Sequence, residues 1–176
     1  MDVPEIVINK GDSLPDEDHV YRIVLETDRD RKYKNLPALR SFSLNEKDIE
    51  DGYNLSVEWD KKTTPELTLI RFGATYKFNS KDYKDPTTRS LYSLRVGFLK
   101  TIEGIRDVFY DPIFVEPFEK GNPSNSAHSS VNFIKELWTP ANEPIIIFKI
   151  REHAISRKID VNMEKVLQEL EILRAE

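Results

Sequence analysis

The chain has 176 residues and no cysteine, and its 26 lysine and arginine residues stand against 31 aspartate and glutamate residues, for a formal net charge of −5. The lack of cysteine excludes disulfides, thiolate nucleophiles and cysteine-type zinc sites, and no apolar run approaches the roughly 20 residues of a membrane-spanning helix. A chain of this length, 39% hydrophobic and 32% charged, is typical of one soluble domain, and we expect a cytoplasmic protein without membrane contact.

The excess negative charge lies in residues 1–18, which we expect to form a flexible acidic leader, pinned at most near residues 5–8. The single domain then covers residues 19–176. Residues 28–40 are locally basic, but such a charge run is usually a solvated loop, and nucleic-acid binding requires a larger positive surface. Nucleic acid is therefore not an expected partner.

The first predicted strand, over residues 19–26, is rich in β-branched and aromatic residues. Its alternation places Arg22 on the face that carries two valines. A guanidinium in that position must pair with a carboxylate, for which Glu26 and Glu58 are candidates, or reach water or a polar cleft.

Residues 27–52 form a long irregular connection, and connections of more than about 12–15 residues are usually functional or mobile. Within it, Arg40 and Ser43 are candidate ligand-binding residues, and Asn45 could cap a single helical turn.

Two further elements follow. Residues 53–59 alternate as a strand with Ser56 and Glu58 on its polar face, and a helix over 65–76 is indicated by Thr64 as its cap and proline at its first position. A third strand is predicted over 91–100, in which Gly97 typically marks a bulge.

The C-terminal half supplies two strands and two helices. The strands cover residues 107–110 and 127–134, and the second presents His128, Ser130 and Asn132 on one face. Residues 145–148 favour a strand by propensity, but a proline-capped start and helical spacing favour a helix over 143–155. A last amphipathic helix, 161–174, is expected to dock on the domain, with homodimerisation or a protein partner as the alternative.

The resulting fold class is a single α+β domain. It has a mainly antiparallel sheet of about five strands, covered by two or three helices, because irregular loops rather than regular helices separate the strands.

The sequence contains no phosphate-binding glycine loop and no HExxH, GxSxG or EF-hand pattern, and its three histidines are far apart. We therefore expect neither a metal site nor a cofactor. The best catalytic candidate is His128, which shares a strand face with Ser130, together with Arg22; a hydrogen-bonded structural histidine is the alternative. The candidate ligand-binding residues are Arg40, Ser43 and Asn132.

The order of Arg22, a serine within residues 40–44, and His128 or a later glutamate resembles the Arg, Ser and Glu elements of NAD-consuming ADP-ribosyl-transferring enzymes. The resemblance covers isolated residues only. The middle element has no run of hydroxyl residues and no glutamate stands out, so we do not assign the chain to that family.

Two functions are consistent with these patterns. The leading hypothesis is a non-catalytic binding or regulatory protein that acts through protein contacts, based on the acidic leader and the apolar C-terminal helix. The alternative is a small enzyme that acts on a nucleotide or nucleic acid through Arg22, Arg40 and His128. The alternative requires these three side chains to line one concave pocket, with His128 hydrogen-bonded to a carboxylate or hydroxyl.

Overall fold

A computed structural model describes residues 7–25, 36–117 and 119–175 of the chain. Within these ranges one antiparallel sheet of six strands carries helices on both faces, which confirms the predicted α+β class with one strand more than expected. The strands are β1 (His19–Leu25), β2 (Asn54–Trp59), β3 (Arg89–Arg95), β4 (Ile105–Tyr110), β5 (His128–Phe133) and β6 (Lys158–Ile159). The α-helices are α1 (Glu46–Glu50), α2 (Pro65–Gly73), α3 (Val96–Lys100), α4 (Glu143–Ile155) and α5 (Met163–Ala175).

The strand order is β4-β5-β2-β1-β3-β6. Strand β1 pairs with β3 over its whole length, from His19 to Leu25. Its ladder with β2, in contrast, contains only the pairs Val20↔Trp59 and Tyr21↔Glu58 in the described part of the chain. The sheet is therefore split beyond Tyr21, and this split determines where the cleft described below lies.

The core has two parts, one on each face of the sheet, because successive side chains of a strand point to opposite faces. The larger part packs Val20 and Val24 of β1 beneath α4. The smaller part packs Ile23 beneath α2 and α5, where Leu69 and Leu170 are fully buried.

The predicted helix over 143–155 is confirmed, since α4 covers the same residues. Strand propensity is overridden here because Ile146, Ile147, Ile150 and Ala154 recur at helical spacing and are buried together in the core. The helices predicted over 65–76 and 161–174 are also present, with ends shifted by up to three residues.

The strand predicted over 91–100 is wrong beyond Arg95, where the chain turns into α3. The cause is contact with the segment before β1. The N–H of Val96 donates to the carbonyl of Asp18, and that of Gly97 to the carbonyl of Asp16, each at 2.9 Å. A Cβ at Gly97 would lie 2.8 Å from that Asp16 oxygen, so this close approach requires glycine.

The described part of the predicted acidic leader lies against the sheet. Leu14 is buried in the larger core, Ser13 forms a β-bridge with Phe109, and the Asp18 carboxylate accepts a hydrogen bond from Trp59 Nε1 at 2.8 Å. The division of the chain into leader and domain stays a prediction. In the three described ranges, none of the helices has the length and apolar character needed to cross a membrane.

Candidate functional site: a cationic cleft where the sheet splits

A cleft of about 860 Å³ opens where the β1–β2 ladder ends. Residues 21–25 of β1 line one side and residues 56–58 of β2 line the other. Because consecutive residues of β1 reach the cleft, it is the edge of this strand, and not one of its faces, that borders the space. The volume lies within the roughly 300–1,000 Å³ of sites that hold small molecules.

The lining is strongly cationic. Among the described residues it contains six lysine and arginine side chains and one carboxylate, that of Glu58. The cations are Arg22, Arg40, Lys47, Arg71, Lys84 and Arg89. Such a concentration of one sign of charge in a concave surface creates a positive potential that attracts anions.

Arg22 lies at the split between the strands, and carbonyl groups hold it there. Its Nε donates to the carbonyl of Ser41 at 3.1 Å, and its Nη1 donates to the carbonyl of Ser56 at 2.9 Å. It forms no ion pair with any residue that the structure describes. Burial lowers the pKa of Arg22 to about 10, an effect that the negative charge of Asp48 opposes. The guanidinium is therefore charged at neutral pH, and no carboxylate of the described residues contacts it.

The sequence suggested Glu26 and Glu58 as carboxylate partners for Arg22. Glu26 lies outside the described residues, and Glu58 binds other groups. Glu58 Oε2 accepts from Arg71 Nη1 at 2.6 Å and from Thr68 Oγ1 at 2.7 Å, while its Oε1 accepts from Asn125 Nδ2 at 2.8 Å. This buried carboxylate thus connects β2 to α2 and to the loop before β5.

A second group of cations in the cleft lining consists of Lys84, Arg89 and Lys47. Lys84 Nζ and Arg89 Cζ lie 5.3 Å and 4.9 Å from the centre of the Phe72 ring, a geometry in which the ring attracts both charges. Burial lowers the pKa of Lys84, and the positive charges of Arg89 and Lys47 lower it further. Because burial and these charges disfavour the charged form of Lys84, an anion bound beside it would stabilise that form.

His128 is fixed by its neighbours at the edge of the cleft. Its Nδ1 lies 2.6 Å from the carbonyl oxygen of Asp111 and 3.8 Å from the Asp111 carboxylate, and its Nε2 lies 3.3 Å from Ser56 Oγ. The backbone N–H of Asp111 donates in turn to the carbonyl of His128 at 3.1 Å. These contacts bring together three residues that are separated by as many as 72 positions in the chain.

The cleft contains four of the six residues predicted for the site: Arg22, Arg40, Ser43 and His128. The hydroxyl of Ser43 donates to Glu143 of α4. The other two lie apart from it. Ser130 is 1% exposed and donates to Asp111 Oδ2 at 3.4 Å, and Asn132 donates to Asn54 Oδ1 and to the carbonyl of Gly52.

The Ser41 hydroxyl is a polar group in the cleft wall that no described residue satisfies. Ser41 lines the cleft and is 7% exposed, and its Oγ has no hydrogen-bond partner among the described residues. Buried polar atoms without a partner are rare in native proteins, and a bound ligand is one way to satisfy them.

The sequence analysis did not identify Ser56, Asp111, Lys84 or Arg89 as site residues. The sequence placed Ser56 on the polar face of its strand. Pairing of this strand with the strand of His128, so that their polar faces lie on the same side of the sheet, would have indicated that Ser56 lies near His128. In the described residues there is no group of three or more histidine, aspartate and glutamate side chains that could hold a metal ion.

Comparison of the chain with models of protein families, with curated proteins and with solved structures found no match.

Proposed function

We propose that this protein binds a phosphate-bearing small molecule, of about the size of a nucleotide, in the cleft between β1 and β2. The observation that carries the proposal is the set of six cationic side chains around a cleft whose described lining has one carboxylate, itself bound to Arg71. Phosphate oxygens are strong acceptors, and arginine and lysine are the side chains that bind them.

This proposal develops the second of the two functions considered from the sequence. Arg22, Arg40 and His128 line one cleft, and His128 lies within hydrogen-bond distance of a hydroxyl, which were the two requirements stated for that function. The buried Ser41 hydroxyl, and the burial and neighbouring positive charges that lower the pKa of Lys84, support a ligand that accepts hydrogen bonds and carries negative charge. Action through protein contacts stays a prediction.

Thermal unfolding with a panel of ligands tests the proposal. The panel contains nucleoside mono-, di- and triphosphates, sugar phosphates and inorganic phosphate, with unphosphorylated nucleosides for comparison. A phosphorylated ligand at 100 times its dissociation constant adds about 2.7 kcal/mol to the free energy of unfolding, which for a chain of this size raises Tm by roughly 5–10 °C. If no phosphorylated compound shifts Tm, or if nucleosides shift it equally, the proposal fails.

A charge-neutral variant locates the site. We expect Lys84→Gln to weaken binding of the best phosphorylated ligand about ten- to hundredfold by calorimetry, because a charged hydrogen bond contributes about 1.5–3 kcal/mol. The fold should tolerate this change, since it removes a charge that Arg89 and Lys47 repel. The matched control is Lys149→Gln, an exposed lysine of α4 outside the cleft, which should leave the affinity unchanged. Equal affinity of the Lys84 variant and the wild type would place the ligand elsewhere.

A further inference from the structure

We propose that Ser56 and His128 are a nucleophile and its general base, and that they hydrolyse a phosphate ester bound in the cleft. The proposal rests on the ligand-binding function proposed above and adds a reaction to it. A hydroxyl nucleophile requires an adjacent base, and the base requires a third group that orients it. Ser56, His128 and Asp111 provide these three positions.

The tautomer of His128 follows from its contacts. A carbonyl oxygen can only accept a hydrogen bond, so the Nδ1 atom that lies 2.6 Å from the Asp111 carbonyl must carry the proton. In the neutral ring this leaves the lone pair on Nε2, the nitrogen that lies 3.3 Å from Ser56 Oγ. His128 is therefore oriented to accept the proton of Ser56.

The side chain of Asp111 is also fixed beside the imidazole of His128. Its carboxylate lies 3.8 Å from His128 Nδ1 and is held in place by Lys10 at 3.0 Å and by the Ser130 hydroxyl at 3.4 Å. The carboxylate therefore lies on the Nδ1 side of the ring, while Nε2 faces Ser56. Ser130, which the sequence suggested as the partner of His128, thus acts on Asp111 and not on the imidazole.

Ser56 is the serine of this cleft that a substrate can reach. It is exposed, whereas Ser41 is buried and the hydroxyl of Ser43 is bound to Glu143. The backbone carbonyl of Ser56 accepts a hydrogen bond from the Arg22 guanidinium. The residue that carries the attacking hydroxyl therefore also holds a cation. Arg22 and the other cations would neutralise the phosphoryl oxygens, as positively charged groups do in phosphoryl transfer.

The reaction balances with water as the second reactant. Ser56 Oγ attacks phosphorus, its proton passes to His128 Nε2, and a bond forms between Oγ and phosphorus while the bond from phosphorus to the ester oxygen breaks. His128 then gives the proton to the departing oxygen. Water, deprotonated by the same nitrogen, attacks the phosphoserine, which releases phosphate and returns the proton to Ser56.

The test uses p-nitrophenyl phosphate and bis(p-nitrophenyl) phosphate as probes with the full chain. We expect the wild type to release p-nitrophenolate, and acid-quenched samples to carry a phosphoryl adduct on the peptide that contains Ser56. Ser56→Ala and His128→Gln should each lower the rate about 100-fold or more. Ser156→Ala, an exposed serine that follows α4, is the matched control and should retain the wild-type rate.

Ligand affinity separates this proposal from the binding function. The contact between Ser56 and Arg22 is made by the backbone, so Ser56→Ala should retain wild-type Tm and wild-type affinity for the best phosphorylated ligand. If the wild type binds the phosphorylated ligand but hydrolyses neither probe, the catalytic proposal is overturned and the binding function is left intact. If the wild type neither binds a phosphorylated ligand nor hydrolyses the probes, the binding function is refuted as well. Full activity in Ser56→Ala, with activity lost in His128→Gln, excludes Ser56 as the nucleophile.

Discussion

At the scale of single residues, hydrogen bonds and ring contacts from neighbouring residues fix the positions of two titratable side chains, Glu58 and His153. The carboxylate of Glu58 accepts hydrogen bonds from Arg71, Thr68 and Asn125. His153 is kept neutral. Its Nε2 accepts the backbone N–H of Arg95 at 3.2 Å, and its ring stacks on Phe98 with centroids 3.9 Å apart and an interplanar angle of 7°.

The pKa of His153 predicts a pH dependence of stability. Burial lowers this pKa from 6.5 to about 4, and the positive charges of Arg157, His19 and Arg95 contribute further. Between these pH values the unfolded chain binds a proton at His153 that the folded protein does not bind, so this residue makes the free energy of unfolding fall as the pH falls from 6.5 to about 4. Because the ring is half-exposed, we expect less than the limit of about 1.4 kcal/mol per pH unit for one proton.

Urea unfolding of the wild type and His153→Gln at neutral pH and near pH 4.5 measures this effect. Glutamine can accept the same N–H and does not titrate, so the variant should lose less stability on acidification than the wild type. Equal losses in the two proteins would show that His153 is protonated in the folded state.

At the scale of secondary-structure elements, the C-terminal helix docks on α2 through a close contact. Leu170 of α5 is 1% exposed, and a Cβ at Gly73 would lie 2.5 Å from Leu170 Cδ1. The absence of a side chain at Gly73 therefore lets the two helices approach, although glycine at the last position of α2 is less favourable for the helix than alanine by up to about 1 kcal/mol.

A double-mutant cycle between these two positions tests the contact. We expect Gly73→Ala to destabilise the wild type by about 1–3 kcal/mol through overpacking, and Leu170→Ala to cost about 2–5 kcal/mol. In the Leu170→Ala background the added methyl group has space, so Gly73→Ala should stabilise the protein by up to about 1 kcal/mol. Urea unfolding of the four proteins gives the coupling energy. The same effect of Gly73→Ala in both backgrounds would contradict the packing described here.

At the scale of the whole molecule, a chain with a net charge of −5 surrounds a cleft whose described lining is cationic. The two charge distributions act over different distances. The net negative charge repels an approaching anion at long range, whereas the cations of the cleft attract a bound anion at contact distance.

The salt dependence of ligand binding separates these two effects. Raising the ionic strength from about 0.01 M to about 1 M shortens the Debye length from roughly 30 Å to roughly 3 Å. We expect the affinity for the best phosphorylated ligand to fall across this range, because the attraction of the cleft dominates the bound state, and to fall less in Lys84→Gln. Calorimetry at several salt concentrations measures both slopes. An affinity that rises with salt would mean that the net negative charge governs binding.

The elements of the fold were largely predictable because they depend on local periodicity. Residues 143–155 were assigned as a helix with the observed ends, even though Ile145 and its neighbours prefer strands, because the spacing of the buried side chains decides which face packs. The end of β3 was not predictable in this way. Its turn into α3 depends on Asp16 and Asp18, which lie far from it in the sequence.

The sequence by itself determined the class of the fold, the strand face of His128 and the presence of Arg22 among valines, since each follows from the period of a single segment. Only the tertiary structure decided that the ladder between β1 and β2 ends after two residue pairs, and that Ser56 and Asp111 meet at His128. Strand order and register are set by packing between segments that are distant in the chain. The cleft, and the cations and single carboxylate that the structure describes in its lining, are consequences of that packing.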